Sequence, residues 1–135
     1  AVGACASLAR RQGVEVSVES TLDGARVSMS RSHLERVFQN LIQNAVQQSP
    51  RGGHVVVRAR ANEEGRAVCD IEDEGPGFAP EDLPRVFEPF FTRRRGGTGL
   101  GLPIAQRTVE HHGGWVRVAN RPIRGAAVSV HLPLV

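Results

Sequence analysis

Residues 73–78 read DEGPGF, and residues 97–102 read GTGLGL. Each stretch is rich in glycine, and the first begins with an acid, Asp73. Glycine lets backbone N–H groups approach phosphate oxygens with no side chain in the way, and it is also the usual residue of tight turns. An acid at the head of such a loop can accept a hydrogen bond from the edge of a base. Either stretch alone is more typical of a turn, but together they predict a nucleotide-binding site.

A third element precedes both stretches. Residues 32–48 carry apolar side chains at i, i+3, i+4, i+7, i+8, i+11 and i+12, which is the pattern of one helix face. Ser32 and Glu35 have the spacing of a capping box at its start. The apolar positions are Leu34, Val37, Phe38, Leu41, Ile42, Ala45 and Val46.

Another stripe of this helix is polar and contains Asn40, Asn44 and Gln47 or Gln48. A solvated face would explain such a stripe without any function. Asparagine is a poor helix former, however, and two of them one turn apart in an otherwise good helix favour a functional role.

The remaining patterns predict an α+β fold. A second helix is expected from Thr98 or Gly99 to about His112, a short helix or turn over 80–87, and a lid over 88–97. These elements predict a two-layer α/β sandwich, with a mixed sheet of about five strands and helices on one face. Strand patterns occupy residues 14–19, 25–29, 54–61, 66–73, 115–119 and 126–132.

Composition limits the class of protein. At 135 residues, the chain is expected to form a single domain, 1–135. No apolar run approaches the roughly 20 residues that span a bilayer, so no membrane contact by this domain is expected. The net charge is +3, and aromatic residues make up 4%. All 17 lysine-or-arginine positions are arginine, and these arginines are dispersed along the chain except for the run at residues 93–95. This composition argues against a nucleic-acid partner. Cys5 and Cys69 are expected to be reduced thiols.

Four motifs, in this order, resemble those of the ATP-binding catalytic domain of bacterial two-component sensor histidine kinases, within the GHKL superfamily. The helix with Asn40 and Asn44 resembles the family's asparagine box, and residues 73–77 its first glycine box. Residues 87–91, FEPFF, resemble the phenylalanine box, and residues 97–102 the second glycine box. The resemblance runs from about residue 25 to residue 135 and implies the histidine kinase ATPase-type fold.

The resemblance also implies ATP and Mg²⁺ as cofactors. Asp73 would accept from the exocyclic amine of adenine, Asn44 would ligate Mg²⁺ through its amide oxygen, and Asn40 would lie beside the phosphates. Asn40 and Asn44 are thus the expected catalytic residues. Arg94 or Arg95 could clamp phosphate from the lid. The full set of expected nucleotide-binding residues is Asn40, Asn44, Gln47, Asp73, Gly75, Gly77, Phe78, Phe90, Arg94, Arg95, Gly97, Thr98, Gly99, Leu100, Gly101 and Leu102.

By the same resemblance, the chain is a histidine protein kinase domain without its phosphoacceptor. None of its five histidines lies in a phosphoacceptor context, so the acceptor is expected on a dimerisation helix outside this chain. Residues 1–13 would be the remnant of a linker from that domain. A response regulator would act downstream. The domain would be cytoplasmic, within a longer protein that could be anchored in a membrane. The isolated domain would be a monomer.

Some positions depart from the family pattern. Gln47 stands where many relatives have lysine, although glutamine resembles the nitrogen-regulation-like subgroup. Phe78 replaces a common isoleucine, and Ala126 a common threonine or serine. Asn40 stands where the related chaperone and topoisomerase ATPases carry a glutamate as general base, so slow hydrolysis is expected. Two other functions stay open: a degenerate nucleotide-binding docking module, and an anti-sigma-type serine kinase.

Overall fold

The computed structural model describes residues 9–21, 27, 29–91 and 101–134. Residues 9–12 are helical, and a 3₁₀ turn lies at Leu83–Arg85. The two longer helices of the described residues are α1, Arg31–Gln48, and α2, Gly101–His111. The strands are β1, Glu15–Ser20; β2, His54–Ala61; β3, Arg66–Glu72; β4, Trp115–Asn120; and β5, Ala126–Pro133.

The five strands form one sheet in the order β1-β2-β3-β5-β4. Strands β1 and β2 are parallel and are connected through α1, whereas the other three pairs are antiparallel. The predicted mixed sheet of about five strands is therefore confirmed. Of the strand predicted over 25–29, the described residues show a single bridge between Val27 and Leu134.

The core lies between the sheet and the two helices. Strand β5 alternates between buried and half-buried positions over its whole length, so one of its faces points into this core. The buried side chains of both helices belong to the same cluster, which confirms a two-layer sandwich with helices on one face. They are Val37, Leu41, Ile42, Ala45 and Val46 of α1, and Leu102, Ala105 and Val109 of α2.

Helix α1 begins one residue earlier than the periodicity predicts, and its cap is a different residue. Ser30 is the N-cap, and its Oγ accepts from the His33 N–H at 3.3 Å. The predicted capping box of Ser32 and Glu35 is wrong, because Glu35 instead accepts from Arg31 at 3.1 Å. The arginine lies one turn before the glutamate, and the two side chains form an ion pair on the helix surface.

Two further features concern expectations from composition. None of the helices in the described ranges has the length and hydrophobicity that a bilayer-spanning segment requires. Cys69 is a free thiol on β3, and burial raises its pKa to about 12. It is therefore protonated and unreactive at neutral pH. Cys5 lies outside the described residues.

Candidate functional site

The site is centred on Asp73, which follows the last residue of β3 and is only 4% exposed. Its Oδ1 accepts two backbone hydrogen bonds, from the N–H of Gly75 at 2.9 Å and from the N–H of Ala126 at 3.2 Å. Both hydrogen bonds that the described residues donate to this carboxylate end on Oδ1. A ligand that bonds this carboxylate would therefore do so through Oδ2.

The electrostatics of Asp73 are those of a buried acceptor. Burial raises the pKa of its carboxyl, while the hydrogen bonds from Gly75 and Ala126 and the nearby Arg121 act in the opposite direction. The net pKa lies above the ordinary value because desolvation outweighs these contacts. A ligand that donates a hydrogen bond to Oδ2 would satisfy a group that water reaches poorly.

The first glycine loop, residues 73–78, is pressed against the end of α1. A Cβ added at Gly75 would lie 2.3 Å from the backbone oxygen of Gln48, the last residue of the helix. No side chain fits in that space, so glycine is required at position 75. The contact also brings the end of α1, with its polar stripe, beside the loop that starts at Asp73.

The other side of the loop is held by the hairpin between β4 and β5. Asn120 bonds both the N–H and the C=O of Phe78, each at 2.7 Å. Arg121 donates to the carbonyl of Asp73 at 2.9 Å, and Arg124 donates to the carbonyl of Glu74 at 2.9 Å. Sequence reasoning missed these three residues. They lie 42 to 50 positions from their partners, and no local pattern marks them.

The polar stripe of α1 runs toward the end of the helix that meets the first glycine loop. Asn40, Asn44 and Gln47 are all half-buried and lie along the helix whose last residue, Gln48, meets Gly75. Amide oxygens are suitable ligands for Mg²⁺, which usually keeps several waters and takes few protein ligands. The described residues contain no group of three or more His, Cys, Asp and Glu arranged for a metal ion.

The second glycine box is covered by the structure only at its end. Gly101 and Leu102 are the first two described residues of α2, and the Leu102 side chain is part of the core at 8% exposure. Leu102 can therefore face a ligand only through its backbone. The other predicted residues of this region, Arg94, Arg95, Gly97, Thr98, Gly99 and Leu100, lie outside the described residues, as does most of the predicted lid.

The aromatic residues differ in their packing. Phe78 and Phe87 pack against the core, and Arg85 lies over the ring of Phe91 at 4.4 Å. Phe90 is 73% exposed and has φ +68°, a left-handed conformation that is unusual for an aromatic residue. Its side chain therefore adds little to the packing of the described part of the chain.

The family of histidine kinase-, DNA gyrase B- and HSP90-like ATPases matches residues 29–135. The sensor histidine kinase ZraS of Salmonella typhi is 34% identical over 110 residues, which cover 82% of this chain and 24% of that protein. Sporulation kinase C of Bacillus subtilis is 36% identical over 112 residues, or 83% of this chain and 26% of that protein. The chain thus spans about a quarter of the length of the curated relatives it matches.

Solved structures show the same similarity. The mycobacterial sensor histidine kinase MprB superposes with a TM-score of 0.87 at 36% identity, over 98% of this chain and 91% of that one. Full-length ShkA in complex with AMPPNP gives 0.86 at 28% identity, over 98% of this chain and 28% of that one. Histidine kinase ThkA in complex with the response regulator protein TrrA gives 0.81 at 23% identity, over 97% and 37%, and shows the fold alone.

Proposed function

Because this chain belongs to the family of histidine kinase-, DNA gyrase B- and HSP90-like ATPases and corresponds to the ATP-binding catalytic domain of sensor histidine kinases, we propose that it binds Mg-ATP and donates the γ-phosphate to a histidine on a separate dimerisation domain. The predicted single-domain organisation, with residues 1–13 as the remnant of a linker, belongs to this proposal.

The geometry of Asp73 carries the proposal. Its Oδ1 is occupied by two backbone donors, so Oδ2 is available to the exocyclic amine of adenine. Guanine presents a carbonyl at the equivalent position, and two acceptors would then face each other. A buried acceptor discriminates strongly between such ligands because the wrong one leaves it unpaired. The site is expected to select adenine over guanine.

The phosphates would lie along α1. Asn44 would hold Mg²⁺ through its amide oxygen, Asn40 would bond phosphate one turn earlier, and Gln47 would contact phosphate one turn later. Bound Mg²⁺ would neutralise charge on the transferring phosphoryl group. The backbone of residues 97–102 and the guanidinium of Arg94 or Arg95 would complete the phosphate contacts.

The reaction would be transfer and not hydrolysis. Asn40 cannot remove a proton from water, so the helix offers no general base at this position. The attacking nucleophile would be the neutral imidazole of the acceptor histidine, which needs positioning more than deprotonation. A response regulator would receive the phosphoryl group next, and the structure of ThkA with TrrA shows a kinase of this fold together with such a protein.

Calorimetric titration with AMPPNP and Mg²⁺ tests the binding step. Wild-type protein should bind AMPPNP and reject the matching guanine nucleotide. Asp73→Asn should weaken binding at least about a hundred-fold, since its amide would present a donor to a donor. Asp70→Asn is the matched control, because Asp70 is also on β3 but bonds Ser129 at 2.5 Å, away from the loop. Equal affinity of wild-type and Asp73→Asn would overturn the proposed site.

The transfer step needs its own measurement. Wild-type protein is mixed with a phosphoacceptor domain of a histidine kinase and labelled ATP, and acid-labile label on that domain is scored. Asn44→Ala should abolish labelling at 1 mM Mg²⁺ if the amide holds the ion. Binding of nucleotide without any labelling, across several acceptor domains, would favour a docking module, and acid-stable label on serine would favour an anti-sigma-type kinase.

A further inference from the structure

The first glycine loop has no regular structure of its own. Between the end of β3 at Glu72 and the 3₁₀ turn at Leu83, the described backbone forms neither helix nor strand. Gly77 within it adopts φ +75°, which only glycine accepts easily. The shape of the loop therefore depends on contacts made by other parts of the chain.

The β4–β5 hairpin supplies these contacts at three points. Near the start of the loop, Arg121 donates a hydrogen bond to the carbonyl of Asp73, and Arg124 donates one to the carbonyl of Glu74. At the far end of the loop, the Asn120 side chain accepts a hydrogen bond from the N–H of Phe78 and donates one to the carbonyl of Phe78. Two bonds from one planar amide fix the peptide planes on both sides of Phe78, which a single bond cannot do.

Asn120 also limits what can stand beside it. A Cβ added at Gly77 would lie 2.7 Å from the Asn120 Oδ1, so the amide occupies the space next to that glycine. The backbone of Asn120 pairs with Ala126, whose N–H bonds the carboxylate of Asp73. One short hairpin thus holds both the acceptor atom and the far end of the loop.

We propose that Asn120 is a positioning residue for adenine recognition, which it serves by holding the first glycine loop in the binding-competent shape. The proposal rests on the proposed function and deepens it. Asn120 is exposed, and both of its bonds are to a residue 42 positions away. Without them, residues 77 and 78 would sample other conformations, and binding would have to restrict that freedom again.

Binding titrations of wild-type and Asn120→Ala with adenosine, with AMPPNP and Mg²⁺, and with inorganic triphosphate test this role. Asn120→Ala should weaken the binding of adenosine and of AMPPNP by the same factor, about five- to ten-fold for the loss of two exposed hydrogen bonds. Triphosphate binding should not change. A loss confined to thermal stability, with unchanged affinity of the folded protein, would overturn the proposal.

Asn120→Asp provides the isosteric variant. It keeps an acceptor for the Phe78 N–H but places a carboxylate oxygen against the Phe78 carbonyl, so it should bind adenosine no better than the alanine variant. Affinity equal to wild-type would show that only the shape of the side chain matters, and would contradict the proposal.

Asn62→Ala is the matched control in the other hairpin. The Asn62 Oδ1 accepts from the N–H groups of Glu64 and Arg66, both at 3.0 Å, and so it also makes two bonds to backbone. It should lower stability and leave every affinity unchanged. If wild-type protein binds neither adenosine nor AMPPNP, the proposed function itself fails, an outcome distinct from equal binding by wild-type and the Asn120 variants.

Discussion

Asp73 and Ala126 bond each other in both directions. The N–H of Asp73 donates to the carbonyl of Ala126 at 2.9 Å, and the N–H of Ala126 donates to Oδ1 of Asp73 at 3.2 Å. The end of β3 and the start of β5 are thereby joined at the centre of the site. Position 126 contributes through its backbone, so the alanine found there supports Asp73 without any side-chain contact.

The pH dependence of stability should carry the signature of Asp73. Its pKa is raised in the folded protein, mainly by burial, so the folded state binds more protons than the unfolded state between the ordinary value of 3.8 and the folded value. Ionisation of Asp73 then opposes folding, and its contribution to stability falls as pH rises through this window.

Asp73→Asn should remove that contribution. Urea unfolding of wild-type and variant at a series of pH values from 3.5 to 7.5 measures it, as the difference between the two free energies of unfolding. The variant should gain stability relative to wild-type as pH rises. A difference that does not change with pH would contradict the raised pKa.

Gly75→Ala should destabilise the fold by about 1–3 kcal/mol, because its Cβ would meet the Gln48 backbone oxygen at 2.3 Å and neither backbone can move freely. Gly101→Ala is the control. Among the described residues, no atom outside the helix's own backbone and the chain neighbours lies within 4 Å of a Cβ there, and alanine favours the helix. Thermal or urea unfolding of both variants tests the pair, and equal destabilisation by the two would contradict the steric argument.

Ser30→Ala should cost about 1 kcal/mol of stability, since it removes the side-chain oxygen that caps α1 through the His33 N–H. Ser32→Ala should stay within roughly 0.5 kcal/mol, the usual range for a surface position. The comparison by urea unfolding distinguishes the observed cap from the capping box that the sequence pattern predicts. A larger loss of stability in Ser32→Ala than in Ser30→Ala would instead support the capping box of Ser32 and Glu35.

His131 should make stability fall in mild acid. Its ring stacks on Trp115 at 5.0 Å, and its pKa is lowered by burial and by Arg117, with Arg60 and Arg66 adding to the effect and Asp70 opposing it. The folded state disfavours the imidazolium, so this contribution is fully present above the ordinary value of 6.5 and is lost as pH falls below it.

Proton NMR of the His131 ring should show a midpoint below 6.5. His131→Gln, which cannot be protonated, should lose less stability than wild-type between pH 7 and 5. His111→Gln is a matched control, because His111 lies at the end of α2, where its ring faces the ring of His112 at 6.0 Å. An unchanged or raised midpoint at His131 would contradict the prediction.

Local patterns account for the elements that could be predicted. The spacing of Leu41, Ala45 and the other apolar residues of α1 predicts both the helix and its buried face, because a helix buries whatever repeats every three to four residues. Alternation in β5 predicts its inward residues for the corresponding reason. The glycine loop was recognisable because Asp73, Gly75 and Gly77 lie within five positions of one another.

Element ends were less predictable. The strand pattern extends to Asp73, but β3 ends at Glu72, because the Asp73 carboxylate turns back to the N–H of Gly75. The cap of α1 was misplaced for a similar reason, as Arg31 competes for Glu35. Both differences arise from side chains that have more than one partner within a few residues, and only the folded geometry selects between them.

By itself, the sequence determined α1, α2 and the five strands of the sheet, apart from their ends, together with the glycine loop and the acid at its head, since each depends on residues close together in the chain. Tertiary structure decided the strand order, which places β5 between β3 and β4. It also decided the hydrogen bonds of Asn120, Arg121 and Arg124 to a loop more than 40 residues away in the chain. Such contacts have no periodicity and form only when the sheet has brought two distant segments to one edge.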